Sequence, residues 1–185
     1  MRFNIFALLT CLMILPTMSN ADDTADTKSI YGLNEQVYIA DIDMNMSSKL
    51  DTGAKTASLS ARDIKRFKRD GQPWVRFYLA LDEAHERAFE LPLARISKIK
   101  RRSGDYDPEE DKSYTPRPVV KMAVCMGKTL RTIEVNLTDR STFQYPFLLG
   151  STALKQFNAL VDPSLKYSVG KPKCETDNIT TAIAE

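Results

Sequence analysis

The residues best placed for chemistry in this 185-residue chain fall in one stretch, Leu50-Asp51-Thr52-Gly53-Ala54-Lys55. Asp51 follows an apolar residue and precedes Thr-Gly, and small or apolar neighbours flank it. Its carboxylate is therefore expected at the end of a buried strand, where it serves either as a turn device or as a general acid/base. The triplet occurs once. Lys55, four residues on, has two open roles: its charge favours an ionised aspartate, or it is simply solvated. Farther along, Leu148, Leu149 and Gly150 lead directly into a short helical pattern.

Other chemistries lack their residues. A zinc site needs three or four ligands, some at close spacing. The chain has a single histidine, His85 in "DEAHERA", expected as an exposed hairpin residue, and no HExxH. "GAKT" lacks the upstream glycine and the contiguous Gly-Lys pair of a phosphate loop. "LLGSTAL" lacks the second glycine of a nucleophile elbow, and no histidine is placed to activate its serine. No metal and no cofactor are expected.

The elements that must position Asp51 are short and rich in β-branched and aromatic residues. Strands are expected at "QVYIADI" (36–42), "SSKLDTG" (47–53), "ASLSARDIKRFKR" before an Asp70-Gly71 turn, and "PWVRFYLAL" (73–81). More follow in "RAFELPLARISKIKR" (87–101), where Pro92 argues against a helix. "SGDYDPEEDKSYTPRP" (103–118) reads as a long polar loop. Then come strands at 119–127, at 128–139 after a turn at Gly127, and at 142–150. Residues 151–157 form the best helix candidate, about two turns long, with Ser151 or Thr152 able to cap it. The pattern is all-β, a barrel or sandwich with one short C-terminal helix.

Hydrophobic residues make up 43% of the chain and charged ones 27%, an ordinary balance for a single globular domain. Residues 1–21 differ: Arg2, an apolar run from Phe3 to Leu15, then Pro16 and Ser19-Asn20-Ala21 read as a signal peptide cleaved after Ala21. The apolar run is short for a membrane span, and Thr10 is a poor residue to precede a lipidated Cys11. Residues 22–29 read as a disordered segment, 30–170 as the domain and 171–185 as a polar tail, in a periplasmic or secreted protein with no membrane span after processing. The formal charge of +2 falls to +1 without Arg2, and the clusters "RDIKRFKRD" and "KIKRR" have acidic neighbours, so nucleic acid is not an expected partner. Loss of Cys11 leaves Cys125 and Cys174, which should pair in an oxidising compartment. Neither has a nearby histidine to make it a nucleophile.

The pairing of Leu-Asp-Thr-Gly-Ala with a later Leu-Leu-Gly-helix segment resembles the retropepsin-like aspartic proteases. With "RDGQPWVRF" and "RPVVKMAVCMGKTLRTIEVNLTDRSTFQYPFLLGSTALKQFNALVDP", the likeness extends over most of residues 36–167. It points to a bacterial branch whose members are often labelled ATP-dependent zinc proteases, although this sequence supplies no zinc ligand set. The resemblance implies a closed acid-protease barrel and a homodimer in which each protomer contributes one aspartate. This is why one triplet would suffice. Asp51 would be the general acid/base, Thr52 would hydrogen-bond across the two-fold axis, and Gly53 would allow close backbone approach to substrate. Ala54 and Lys55 would complete the loop, with Leu148, Leu149 and Gly150 bracing it from behind. A flap from about residue 94 to 120 would close over an extended peptide. Two positions depart from the branch: Ser151 replaces an arginine that helps tie the dimer, and Ser60 replaces a histidine. A peptide- or protein-binding module without catalysis is the alternative on the same fold.

Overall fold

A computed structural model describes residues 27–81, 86–100, 114–175 and 182. Ten strands and one short helix make up the fold: β1 (Ser29–Ile39), β2 (Met44–Asp51), β3 (Ala57–Arg69), β4 (Gln72–Leu79), β5 (Ala88–Pro92), β6 (Arg95–Lys100), β7 (Tyr114–Met126), β8 (Thr129–Thr138), β9 (Phe147–Gly150), α1 (Ser151–Gln156) and β10 (Ala159–Lys166). A single 3-10 turn, Ala40–Ile42, bridges β1 and β2.

Strands β1, β2, β9, β3, β8 and β7 are hydrogen-bonded in that order, and β7 pairs back onto β1 through Val37–Ile39 and Val124–Met126. The six-strand ring is therefore closed, and the all-β barrel with one short C-terminal helix is the fold. Alternation along the strands fills its interior: Val37, Ile39, Leu50, Leu59, Val120, Met122, Ile133, Val135, Leu137, Phe147 and Leu149 are all buried. Each contributes about 1.5–3 kcal/mol relative to exposure. Only the first part of β3 belongs to the ring. Its second part turns out past a bulge at Arg62–Lys65 and pairs with β4, which carries β5 on its other side. The β3–β4 turn falls at Asp70-Gly71, both at positive φ (50° and 77°), as an Asp-Gly pair demands.

The strand pattern needs four corrections. Residues 40–42, read as the end of a strand, form the 3-10 turn. Residues 114–118, read as loop, are strand, with Pro116 and Pro118 opposite Lys98 and Ile96. This stretch pairs with β6 alone, since β7 meets β8 only from Val119 onward, and a free edge tolerates a missing N–H. Residues 142–146, read as strand, are loop: Phe143 is 60% exposed and the strand begins after Pro146. Residues 159–166, not recognised as a strand, form β10, which adds in parallel to the outer end of β1.

Beyond β10 the chain is clasped twice. Glu35, fully buried, accepts hydrogen bonds from the backbone N–H groups of Gly32 (2.7 Å), Ser168 (3.0 Å) and Val169 (3.4 Å) and from the Ser168 hydroxyl (2.6 Å). Cys125 and Cys174 form a disulfide with their Cα atoms 6.1 Å apart, and the Lys173 N–H donates to Gly127 O beneath the β7–β8 turn. Among the described residues no helix is long and apolar enough to cross a membrane. His85 lies outside them.

Candidate active site

β2 runs into the Asp51 loop and β3 runs out of it, and β9 lies between the two strands. β9 pairs in parallel with β2, Leu148 opposite Lys49, Leu149 opposite Leu50 and Gly150 opposite Asp51, and antiparallel with β3. Residues 52–56 must therefore cross over the end of β9. Gly150 makes this crossing sterically feasible: a Cβ there would lie 2.6 Å from Thr56 O. The loop's carbonyls then need donors, and the start of α1 supplies them: Ser151 N–H to Ala54 O (2.7 Å) and Thr152 N–H to Lys55 O (3.1 Å). Helix α1 is thus not capped by Ser151 or Thr152. Its N-cap is Gly150, with no side-chain cap, and its free N–H groups hold the Asp51 loop.

Asp51 itself is part-exposed. Its Oδ1 accepts the N–H groups of Gly53 (3.0 Å) and Ala54 (3.1 Å), a turn-type bond that fixes the carboxylate's rotation. Oδ2 faces a cation at 3.8 Å, and that cation is Lys49. Lys55, whose role the sequence leaves open between favouring the ionised aspartate and solvation, is exposed; the ammonium comes from two residues upstream of Asp51, because alternation puts Lys49 and Asp51 on one face of β2. Thr52 and Gly53 are also exposed. At the loop's far end, the buried Asn136 of β8 donates from Nδ2 to Thr56 Oγ1 (2.5 Å) and Ala57 O (3.2 Å).

Asp51 opens onto a cleft of about 1260 Å³, whose walls include Ile99 and Thr115 of the β6–β7 hairpin and the loop residues Phe143 and Tyr145. Six cations line it: Lys49, Lys55, Lys100, Arg117, Arg140 and Lys166. Among the described residues Asp51 is its only acid. Arg140 donates to Ser58 Oγ (3.1 Å) and stacks over Phe143. Burial, and secondarily the like charge of Arg117, push the Arg140 guanidinium below the ordinary arginine value, while Asp51 pulls it up; burial alone lowers Arg117. In the region where the flap is expected, β6 and the first part of β7 pair antiparallel; residues 101–113 lie outside the described residues. Among the described residues no three His, Cys, Asp or Glu side chains gather as metal ligands.

A family model described as RimB-like, "retropepsin-like aspartic endopeptidase RimB", matches residues 30–172. The chain belongs to this RimB-like family. Proteins named "probable alpha-L-glutamate ligase" are similar: those of Shewanella pealeana and Shewanella halifaxensis are each 30% identical over 150 residues, 80% of this chain and 31% of theirs. The chain thus spans about a third of the length of these curated relatives. The crystal structure of Lpg0085 from Legionella pneumophila, a protein described as of unknown function, is 37% identical with a TM-score of 0.64, covering 77% of this chain and 99% of that one.

Within this RimB-like chain one of the two departures has a local explanation. Ser60 is fully buried; its hydroxyl donates to Ala80 O (2.9 Å) and accepts the Arg140 N–H (3.1 Å), so it fastens the β8–β9 loop to β3. Ser151 serves through its backbone, as above. The sequence reading missed Lys49, Asn136, Arg117 and Arg140. Strand alternation could have found Lys49. The others come from β7, β8 and a loop, and nothing in their spacing marks them.

Proposed function

We propose that this chain is an exported aspartic endopeptidase acting as a homodimer on extended, acidic peptides. Two Asp51 carboxylates, one from each protomer, share a proton. One takes a proton from water as that water attacks the amide carbon, while the other protonates the carbonyl oxygen; collapse of the tetrahedral adduct returns a proton to the leaving amine. The observation that carries the reading is the Asp51 carboxylate held by its own loop on the wall of a large open cleft.

Thr52, exposed at the loop tip, would bond across the axis, with Gly53 admitting the substrate backbone. Leu148, Leu149 and Gly150 would keep the loop rigid. The β6–β7 hairpin would cover the peptide, which binds as an added strand. Acidic substrates are supported by the cationic lining and by relatives whose name refers to glutamate. Export is supported by the N-terminal reading of residues 1–21 and by the disulfide.

The test is digestion of an acidic peptide library by the mature chain beside Asp51→Asn. Cleavage should fall by at least about a hundredfold with the fold unchanged, the scale of a lost general acid/base. Undiminished cleavage by the variant would remove Asp51 from the chemistry. A second reading, a peptide-holding module without catalysis, draws on Ser151 in place of the dimer-tying arginine; it expects a monomer that binds peptides and cuts none.

A further inference from the structure

Among the described residues, three buried side-chain polar atoms have no hydrogen-bond partner: Arg117 Nε, Asn136 Oδ1 and Arg140 Nε. All three residues line the Asp51 cleft. Buried unpaired groups are rare in native proteins, and each calls for an explanation, a functional role or a bound ion or water among them. The elements that bring these three together are distinct. Arg117 lies on the part of β7 that pairs only with β6. Asn136 stands opposite Val119, where β8 joins β7, and Arg140 is in the loop after β8. Among the described residues no carboxylate is hydrogen-bonded to any of the three.

Two half-buried guanidiniums on one wall repel each other, and removal from water strengthens the repulsion. Asp51 offsets them only in part: its charge acts on Arg140, but it makes no hydrogen bond to either guanidinium, one oxygen accepting from Gly53 and Ala54 and the other facing Lys49. Arg140 is already aimed, with one terminal nitrogen on Ser58 and its Cζ 4.5 Å from the centre of the Phe143 ring. The remaining forked N–H groups suit a planar, two-oxygen anion. We infer that Arg117 and Arg140 form a subsite for one carboxylate of the bound peptide, setting which residue lies beside Asp51. The inference deepens the endopeptidase reading and rests on it for the identity of the ligand. The carboxylate is either an acidic side chain or the peptide's C-terminal group.

The test reads binding rather than turnover. Asp51→Asn protein is titrated by calorimetry with hexaglutamate and with C-terminally amidated hexaglutamine, which carries no carboxylate, alone and with Arg117→Met, Arg140→Met or Lys166→Met added. Hexaglutamate should bind at least about tenfold more tightly than hexaglutamine, and either arginine exchange should remove about tenfold or more, the scale of a charge-assisted hydrogen bond. Lys166→Met, an exposed cation of the same cleft, should cost about twofold or less. Equal losses for Lys166 and the arginines would mean a diffuse basic surface and would overturn the subsite; so would equal binding of the two peptides. Amidating the C-terminus of hexaglutamate separates the two sources: lost affinity assigns the site to the terminal carboxylate, kept affinity to a side chain. The two arginines lie on different elements, so a folding failure in one variant leaves the other as a test. A wild type that binds through these arginines and cuts nothing would sink the endopeptidase reading while leaving the subsite in place.

Discussion

A single methyl group separates a workable loop from a blocked one at Gly150. An added Cβ would meet the Thr56 carbonyl at 2.6 Å and the Thr56 amide nitrogen at 2.7 Å, both backbone atoms with no rotamer to yield. Gly150→Ala must therefore push the Asp51 loop off the end of β9. We expect a loss of about 1–3 kcal/mol in urea unfolding, the range for overpacking, together with peptide cleavage reduced more than stability predicts. Unchanged stability would show that the loop has slack. Lys49 shows a different kind of residue-scale dependence. Its ammonium reaches Asp51 only because the two share a strand face, and strand periodicity makes that legible from sequence. Arg140 reaches the cleft through a loop whose path no period encodes.

At the scale of elements, the Ala40–Ile42 turn is attached to β7 by one carboxylate. Asp41 accepts the Ala123 N–H at 2.7 Å. Burial raises the Asp41 carboxyl above its ordinary value, and the backbone hydrogen bond only partly opposes this. The folded protein therefore keeps the proton over a range in which the unfolded chain has lost it. The associated stability is present below about pH 4, the unfolded carboxyl value, and is lost as pH rises through the raised folded-state value. Asp41→Asn cannot titrate. Measured against wild type in urea, the variant should gain relative stability on going from about pH 4 to about pH 7; a pH-independent difference would clear Asp41 of the effect. Elsewhere the elements obey their local signals, as at Asp70-Gly71. Where they do not, the cause is tertiary: the Pro116-Arg117-Pro118 stretch is extended because β6 offers an edge to pair with.

For the whole molecule, two ties decide stability and activity. The Cys125–Cys174 disulfide closes a separation of 49 residues, worth about 4 kcal/mol in the chain-entropy model. Replacing both cysteines with serine should lower unfolding stability by up to about that amount and free the segment after Tyr167 to proteolysis before the barrel. The second tie is the proposed one between copies. If the dyad is shared, excess Asp51→Asn subunit mixed with wild type and allowed to exchange should suppress cleavage, and specific activity should fall on dilution. Activity indifferent to both would place a complete catalytic site within one chain.

The amino-acid sequence alone carried the strand periodicity, the turn glycines, the two pairable cysteines and the Asp-Thr-Gly triplet with its later Leu-Leu-Gly. These are local signals, each set by the conformational preference of a few neighbouring residues. It did not disclose that β10 is a strand, since its exposed residues pair in parallel with a partner more than a hundred positions away. Nor did it disclose that Lys49 and not Lys55 approaches the carboxylate, or that Arg117, Asn136 and Arg140 share one wall. Those facts arise from closure of the barrel, which sets β7, β8 and the following loop around the Asp51 cleft; burial there decides which charges lack a partner, and burial exists only once the ring has closed.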